Sequence, residues 1–349
     1  MAYSTIDKGS SFANTALYTG NSSTQAITGL GFQPDLVWIK RRDGNYYHYW
    51  FDAPRGVGYY IKCNQDAAQA DGNPDHLTAF DSDGFTLGST DGVNATGDTF
   101  ASWSWKAGTT SGLSGGTITP AAYSINTTSK FGIYKYTGNG TAGATIAHGL
   151  GATPYLVIVK RLTNTYDWAV QNPYTHATDP QEYILRLNTN NAGTQDDAFN
   201  NTLASSTVVT LGASTYTNAT SADQEYVMYA WAPVKGYSKF SWYKGNGSAN
   251  GPVINTGFKP SFILVKRWDS GSINWIMADY KREGYNPDND PLYPDVNVAE
   301  GTADNINIFS NGFKVINSGD DYNNDGGKYF YAAFGQPIVA SNGVVTTAR

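Results

Sequence analysis

One phrase is written three times along this chain, and it constrains the fold more than any other feature. Residues 31–42 read GFQPDLVWIKRR, residues 151–162 read GATPYLVIVKRL, and residues 257–268 read GFKPSFILVKRW. Pro34, Pro154 and Pro260 align, roughly a hundred residues apart, which is a domain length and far above a solenoid repeat. Other landmarks recur around each phrase in the same order. Upstream lie LYTGNSSTQAITGLGF (17–32), KYTGNGTAGATIAHGLG (135–151) and WYKGNGSANGPVINTGF (242–258). Downstream lie SDGFTLGS (82–89), SSTVVTLGA (205–213) and SNGFKVINS (310–318). Each unit closes on an aromatic segment: TFASWSWKAG (99–108), EYVMYAWAPV (225–234) or KYFYAAFGQP (328–337). Three copies of one domain, duplicated and drifted apart, account for this order.

The phrase itself reads as a strand. LVWIK (36–40), LVIVK (156–160) and FILVK (262–266) are apolar on both faces, so each strand should be covered on both sides. The preceding Gly-x-x-Pro marks an entry turn and leaves no room for a helix start. The closing segments alternate, with Ala101/Trp103/Trp105, Val227/Tyr229/Trp231 and Phe330/Ala332/Phe334 each on one face. Turn signals every 8–12 residues are those of antiparallel sandwiches, and TGN (19–21), TGNG (137–140) and KGNG (244–247) read as tight turns. The expected fold is all-β: three tandem antiparallel β-sandwich, jelly-roll-like units at 13–108, 130–236 and 237–339. An N-terminal arm (1–12), a Gly/Ser/Thr-rich linker (109–129) and a C-terminal tail (340–349) complete the chain, the linker being read as flexible or as an extended arm. Short helices are expected at most at 64–72 and 178–188.

Aromatics make up 14% of the chain and charged residues 15%, which gives apolar material for real cores. A net charge of −6 without a basic stripe argues against nucleic-acid binding. No segment approaches the roughly 18 uncharged apolar residues of a membrane span, and the N-terminus lacks the pattern of a signal peptide. The single cysteine, Cys63, can neither pair within the chain nor build a zinc site alone.

Catalytic patterns are sparse. His48, His76, His148 and His176 form no metal-ligand pair, and no nucleophile elbow or phosphate-binding loop is present. His148 occupies a place filled by Thr28 and Thr256 in the sister units, which suits a turn residue. Asp52, Asp81, Asp83, Asp279 and Glu283 could supply a glycosidase pair, but Asp81 and Asp83 read more simply as turn residues. Asp321, Asn323 and Asp325, followed by Gly326, fit the first half of a calcium loop, whereas the twelfth position is Ala332 and not Glu. Ca²⁺ is therefore the one cofactor suggested, against a hairpin turn that explains the same residues. Tyr46, Tyr47, Tyr49 and Trp50 in NYYHYWF (45–51) could stack on sugar rings or anchor an interface, and burial of half of them is the simpler reading. Trp168 and Trp275, in the matching segments, are expected in cores. Asp52 and Arg55 are expected to form a buried ion pair that pins the loop after the second strand of the phrase, with Asp279 and Arg282 standing in for them in unit three.

YTGNSSTQAITGLGFQPDLVWIKRR, FDAPRG, FDSDGFTLGS and GVNATGDTFASWSWKAG together resemble structural proteins of tailed bacteriophages, especially those of marine bacteria and cyanobacteria. Unit one carries the pattern nearly whole (Tyr18 to Gly20, Phe32, Pro34 to Lys40, Phe51, Asp52, Arg55, Gly56, Ser82 to Leu87, Trp103 and Trp105). The resemblance covers about residues 12–339. It implies a non-enzymatic virion component of the tail, fibre, collar or capsid surface, assembling as a homo-oligomer with other virion proteins. A host-surface glycan-binding or glycan-cleaving module is the alternative. The resemblance brings no catalytic residue with it.

Overall fold

The computed structural model describes residues 4–70, 72, 75–219, 224–284, 286, 290–340, 343 and 345. Unit one contains β1 (Ala13–Thr19), β2 (Gln25–Thr28), β3 (Leu36–Arg41), β4 (His48–Asp52), β5 (Ile61–Lys62), β6 (Leu77–Asp81), β7 (Gly84–Leu87), the one-turn helix α1 (Asp91–Asn94) and β8 (Thr99–Trp105). Its main sheet runs β1-β8-β3-β4-β5, and a smaller sheet, β2-β7-β6, covers one face. Unit two contains β9 (Ala122–Asn126), β10 (Phe131–Thr137), β11 (Ala144–Ala147), β12 (Leu156–Arg161), β13 (Ala169–Gln171), β14 (Tyr183–Arg186), β15 (Thr194–Gln195), β16 (Val208–Leu211) and β17 (Glu225–Trp231). Its sheets run β15-β14-β13-β12-β17-β10-β9 and β11-β16. Unit three contains β18 (Ser238–Lys244), β19 (Val253–Asn255), β20 (Phe258–Arg267), β21 (Ile276–Asp279), β22 (Ile306–Phe309), β23 (Gly312–Val315) and β24 (Lys328–Pro337), with sheets β18-β24-β20-β21 and β19-β23-β22.

The same winding therefore occurs three times, in an all-β sandwich fold. The first strand of units one and three, and β10 in unit two, pairs with the last, and the last pairs with the strand of the repeated phrase. After that strand the chain continues by a hairpin in the same sheet, so the roll is completed only by the strands of the small sheet.

Each main sheet has two buried faces, as the doubly apolar phrase requires. Val37 and Ile39, together with Phe51 and Phe100, face the small sheet of unit one and share a core with its Phe85. Val157 and Val159 do the same in unit two, as do Ile263 and Val265 in unit three. The opposite faces of all three main sheets meet in a single central core.

The tight turns after the first strands are held by one device. Asn94, Asn218 and Asn323 are fully buried, and each carboxamide oxygen accepts the backbone N–H of the turn asparagine: Asn21 at 2.9 Å, Asn139 at 2.6 Å and Asn246 at 2.8 Å. Each amide nitrogen then donates two residues further on, to the carbonyls of Ser23, Thr141 and Ser248. The neighbouring glycine is required by close approach, because a Cβ on Gly20 would lie 2.1 Å from the Ala95 carbonyl oxygen and one on Gly245 2.1 Å from that of Asn324.

The 109–129 linker, read as flexible or as an extended arm, runs extended: Thr109 bridges to Ile125, Ile118 to Ile146, and the segment delivers β9 to the edge of β10. The helix expectations are corrected. No helix forms among the described residues of 64–72, and 178–188 holds a 3-10 turn (Pro180–Glu182) that leads into β14, because Tyr183, Ile184 and Leu185 serve the sheet. The N-terminal arm docks on unit three, where Gly9 N donates to Gln336 Oε1 at 2.8 Å and Ile6 enters the central core. Most of the 340–349 tail lies outside the described residues. Among the described residues no helix is long and apolar enough to cross a membrane.

Candidate functional site

The central core is organised around an internal threefold axis. Trp105, Trp231 and Phe334 hold the same ladder position, each opposite the first residue of the repeated strand (Leu36, Leu156 and Phe262). They touch one another, with ring centroids 6.2, 5.7 and 6.5 Å apart. Three equivalent residues can be mutual neighbours only around a common axis. A cavity of only about 20 Å³ remains there, lined from all three units, so the axis is packed and is no channel.

The boundaries between units obey the same rotation. The residue two beyond each phrase lysine accepts a backbone hydrogen bond from the adjacent unit. Gln69 N donates to Leu162 O at 2.9 Å, Gly193 N to Trp268 O at 2.9 Å, and Glu300 N to Arg42 O at 2.7 Å. The unit order is one to two, two to three and three to one, a closed ring. Trp168 Nε1 reaches Gln65 O at 2.9 Å and Trp275 Nε1 reaches Arg186 O at 2.8 Å across the first two boundaries. At the third, the equivalent residue is His48, which lies against the Tyr293 backbone and accepts Trp38 Nε1 at 3.0 Å. Burial holds this imidazole well below its ordinary pKa, so it is neutral. Arg42 and Glu300 add a bidentate ion pair at 2.6 and 2.8 Å to that third boundary.

The lysine that ends each phrase also faces the core. Lys40, Lys160 and Lys266 are fully buried, and their ammonium groups donate to backbone carbonyls. Lys40 reaches Arg41 O and Gly44 O, Lys160 reaches Arg161 O and, across the boundary, Asp66 O, and Lys266 reaches Ile273 O. Desolvation pushes them down to about 8, 7 and 8.

Asp52 and Arg55 form the expected pair. Arg55 Nε lies 2.5 Å from Asp52 Oδ2 with both side chains fully buried, and Arg55 Nη2 donates to Trp50 O at 3.0 Å. The sequence did not indicate that this pair is also an inter-unit contact. Tyr229 of unit two donates its hydroxyl to Asp52 Oδ2 at 2.6 Å. Asp279 and Arg282 repeat the arrangement in unit three at 2.6 Å, and there the donor is Trp103 Nε1 of unit one at 2.9 Å. Register places Asn172, Thr175 and Ala332 at the third set of positions, so acid, base and aromatic donor have all been lost together. An uncompensated buried charge is costly, so the members of such a set can only be lost jointly. The Asn172 Nδ2 left behind has no partner among the described residues.

The remaining sequence candidates are dispersed. Tyr49 and Trp50 are buried, Tyr49 in the sandwich core of unit one and Trp50 in the central core against Trp168 and Tyr229. Tyr46 and Tyr47 are half-buried, under the Arg41 guanidinium and the Lys62 ammonium respectively. The four therefore form no exposed stacking platform. Asp321, Asn323 and Asp325 do not converge as a calcium loop: Asn323 is consumed by Asn246 and Ser248, Asp321 faces Lys266, and Asp325 is exposed. Among the described residues no three His, Cys, Asp or Glu side chains cluster as a metal site. Asp83 accepts the N–H groups of Gly29 and Gly31, and Asp81 the Thr86 hydroxyl, so both are turn braces. Cys63 is buried, its thiol 3.4 Å from Pro294 O at the boundary of units one and three. The buried lysines and the three asparagines were missed, although their recurrence at fixed distances from the repeated landmarks was visible.

Fold and contacts thus define a class: an intramolecular trimer of β-sandwiches whose repeated residues build the seams of a closed ring. Residues 8–337 match the family described as a domain of unknown function (DUF7483), and the chain belongs to that family. The match runs from the docked arm to the last strand, so the family's unit is the whole ring. No curated protein matches the chain.

Proposed function

We propose that the chain is a non-enzymatic structural component of a tailed-bacteriophage virion, part of its tail, fibre or collar apparatus or a decoration of its capsid. One observation carries the reading: residues kept in two or three copies, Trp105 with Trp231 and Phe334, and Asp52 and Arg55 with Asp279 and Arg282, are used in seams between units. Such a use suits a rigid building block. The resemblance of its motifs to phage structural proteins supplies the setting. A body with three near-equivalent faces around one axis fits a threefold or sixfold element of a symmetric particle. In this reading it is made in the host bacterium, binds other virion proteins and forms homo-oligomers with copies of itself. The test is mass spectrometry and electron cryo-microscopy of purified particles. A fixed copy ratio per particle is expected, and absence from particles whose host makes the chain would overturn the proposal.

A glycan-binding role at the host surface has one observation in its favour. A cleft of about 320 Å³ at the seam of units two and three is walled by Tyr174, His176, Trp242, Trp268 and Lys328, and Trp242 is 46% exposed. No Asp or Glu lines it, which favours binding over cleavage. Saturable binding on a glycan array that disappears in Trp242→Ala would support this role, and a blank array would remove it.

A further inference from the structure

β1 of unit one and β10 of unit two each lie beside a groove formed with the entry of the neighbouring unit's phrase strand, and in unit two that groove is filled. β9 pairs there with β10, placing Ser124 opposite Ile133. The Ser124 hydroxyl donates to Asp35 Oδ1 of unit one at 2.7 Å. Asp35 immediately precedes β3 and corresponds to Ser261 in unit three.

The equivalent groove between units one and three is open. It holds about 180 Å³ and is lined by Asn14 and Thr15 of β1 and by Lys259 and Ser261 of β20, over a floor of Trp105 and Phe262. β1 is the end strand of its sheet, and among the described residues no strand pairs with its outer edge. Thr15 matches Ile133 by its pairing with the last strand, and its N–H is held by the adjacent Asn14 side chain at 2.9 Å. The chain's own preceding residues close only one end of the groove, where Ser10 and Gln336 line it, because the Gly9–Ser11 turn then sends them to the central core. β1 carries no charge. The other uncovered first strand, β18, carries Lys239 and Lys244, the kind of residue that guards an edge against added strands.

We infer that this groove receives an extended segment of a partner polypeptide, added antiparallel to β1 as β9 is to β10, with a carboxylate side chain at the place of Ser124. Main-chain hydrogen bonds along the edge give affinity, and the side chain in the groove gives selectivity. The sign of that side chain follows from exchanged roles. In the filled groove an acceptor, Asp35, takes a hydroxyl. In the open one no carboxylate stands there: the Ser261 hydroxyl gives its proton to Phe334 O at 3.1 Å, and the free donor is the neighbouring Lys259 ammonium, which has no ion-pair partner among the described residues and lies 5.6 Å over the Tyr280 ring. This inference stands whether or not the chain is a virion protein.

Two synthetic peptides test it on the full chain: residues 119–127 (TPAAYSINT) and the same peptide with Ser124→Asp. Binding is followed by fluorescence anisotropy and by amide hydrogen exchange. The Asp peptide should slow exchange across residues 13–17 and bind at least about tenfold more tightly than the Ser peptide. Lys259→Ala, whose melting temperature should match wild type, should abolish that preference. The inference is overturned if neither peptide protects β1 at millimolar concentration, if the two bind equally, or if the preference survives Lys259→Ala. Concentration-dependent dimerisation that protects β1 without peptide would also overturn it, by making a second copy the occupant.

Discussion

Arg55→Ala tests whether the repeated residues hold the seams together. The substitution leaves the Asp52 carboxylate buried with two donors, the Tyr229 hydroxyl and the backbone N–H of residue 55, and removes the one cation paired with it among the described residues. Breaking a fully buried pair by removing one partner costs about 3–5 kcal/mol. With an unfolding entropy of about 2.1 cal/mol/K per residue, a 349-residue body that melts as one unit would lose roughly 4–7 °C. One cooperative transition is expected, because no unit has a central face of its own once separated. Unit two shows how the charge can be removed in company: its equivalents are Asn172 and Thr175. Asp52→Asn with Arg55→Thr should therefore cost at least about 1 kcal/mol less than Asp52→Asn and Arg55→Thr added together, a coupling that a double-mutant cycle measures. Calorimetry of the variants reads both quantities. An unchanged melting temperature in Arg55→Ala, or a double variant as unstable as the single costs added together, would refute the reasoning.

His48 should make the ring acid-sensitive. Its folded-state pKa lies below the unfolded value of about 6.5, so the unfolded chain binds the extra proton; its contribution is complete above about pH 6.5 and is lost as the pH falls below it. His48→Trp, the residue found in the other two units, should shrink the fall in melting temperature between pH 7.5 and pH 5, and an equal fall in both proteins would exclude His48 as a source. Asn323→Ala removes the acceptor of Asn246 N and two donated hydrogen bonds, which should cost about 2–4 kcal/mol in a denaturant titration. Millimolar Ca²⁺ should leave the wild-type melting temperature unchanged, and a rise of several degrees would restore the calcium reading of that loop.

The local rules of the chain were written in its sequence. Strands apolar on both faces, Gly-Asn turns at fixed offsets and aromatic closing segments are patterns of neighbouring residues, and they fixed an all-β sandwich and its threefold repetition. The Asp52–Arg55 pair was legible for the same reason, since its members are three residues apart and meet across one turn. What occupies the second face of each main sheet was not legible. Alternation left open which half of the cluster around Trp50 is buried, and only the closed ring shows that Trp50 is buried against Trp168 and Tyr229 of the next unit. Tertiary structure alone decided between readings the sequence left open: Trp50 lies in a seam and Tyr49 in the sandwich core of unit one, the linker runs extended and delivers a strand, and Asn323 braces a turn. The reason is physical. A strand's pattern records that a face is covered, whereas the identity of the cover depends on contacts between residues more than a hundred positions apart, and these exist only once three sheets share one axis.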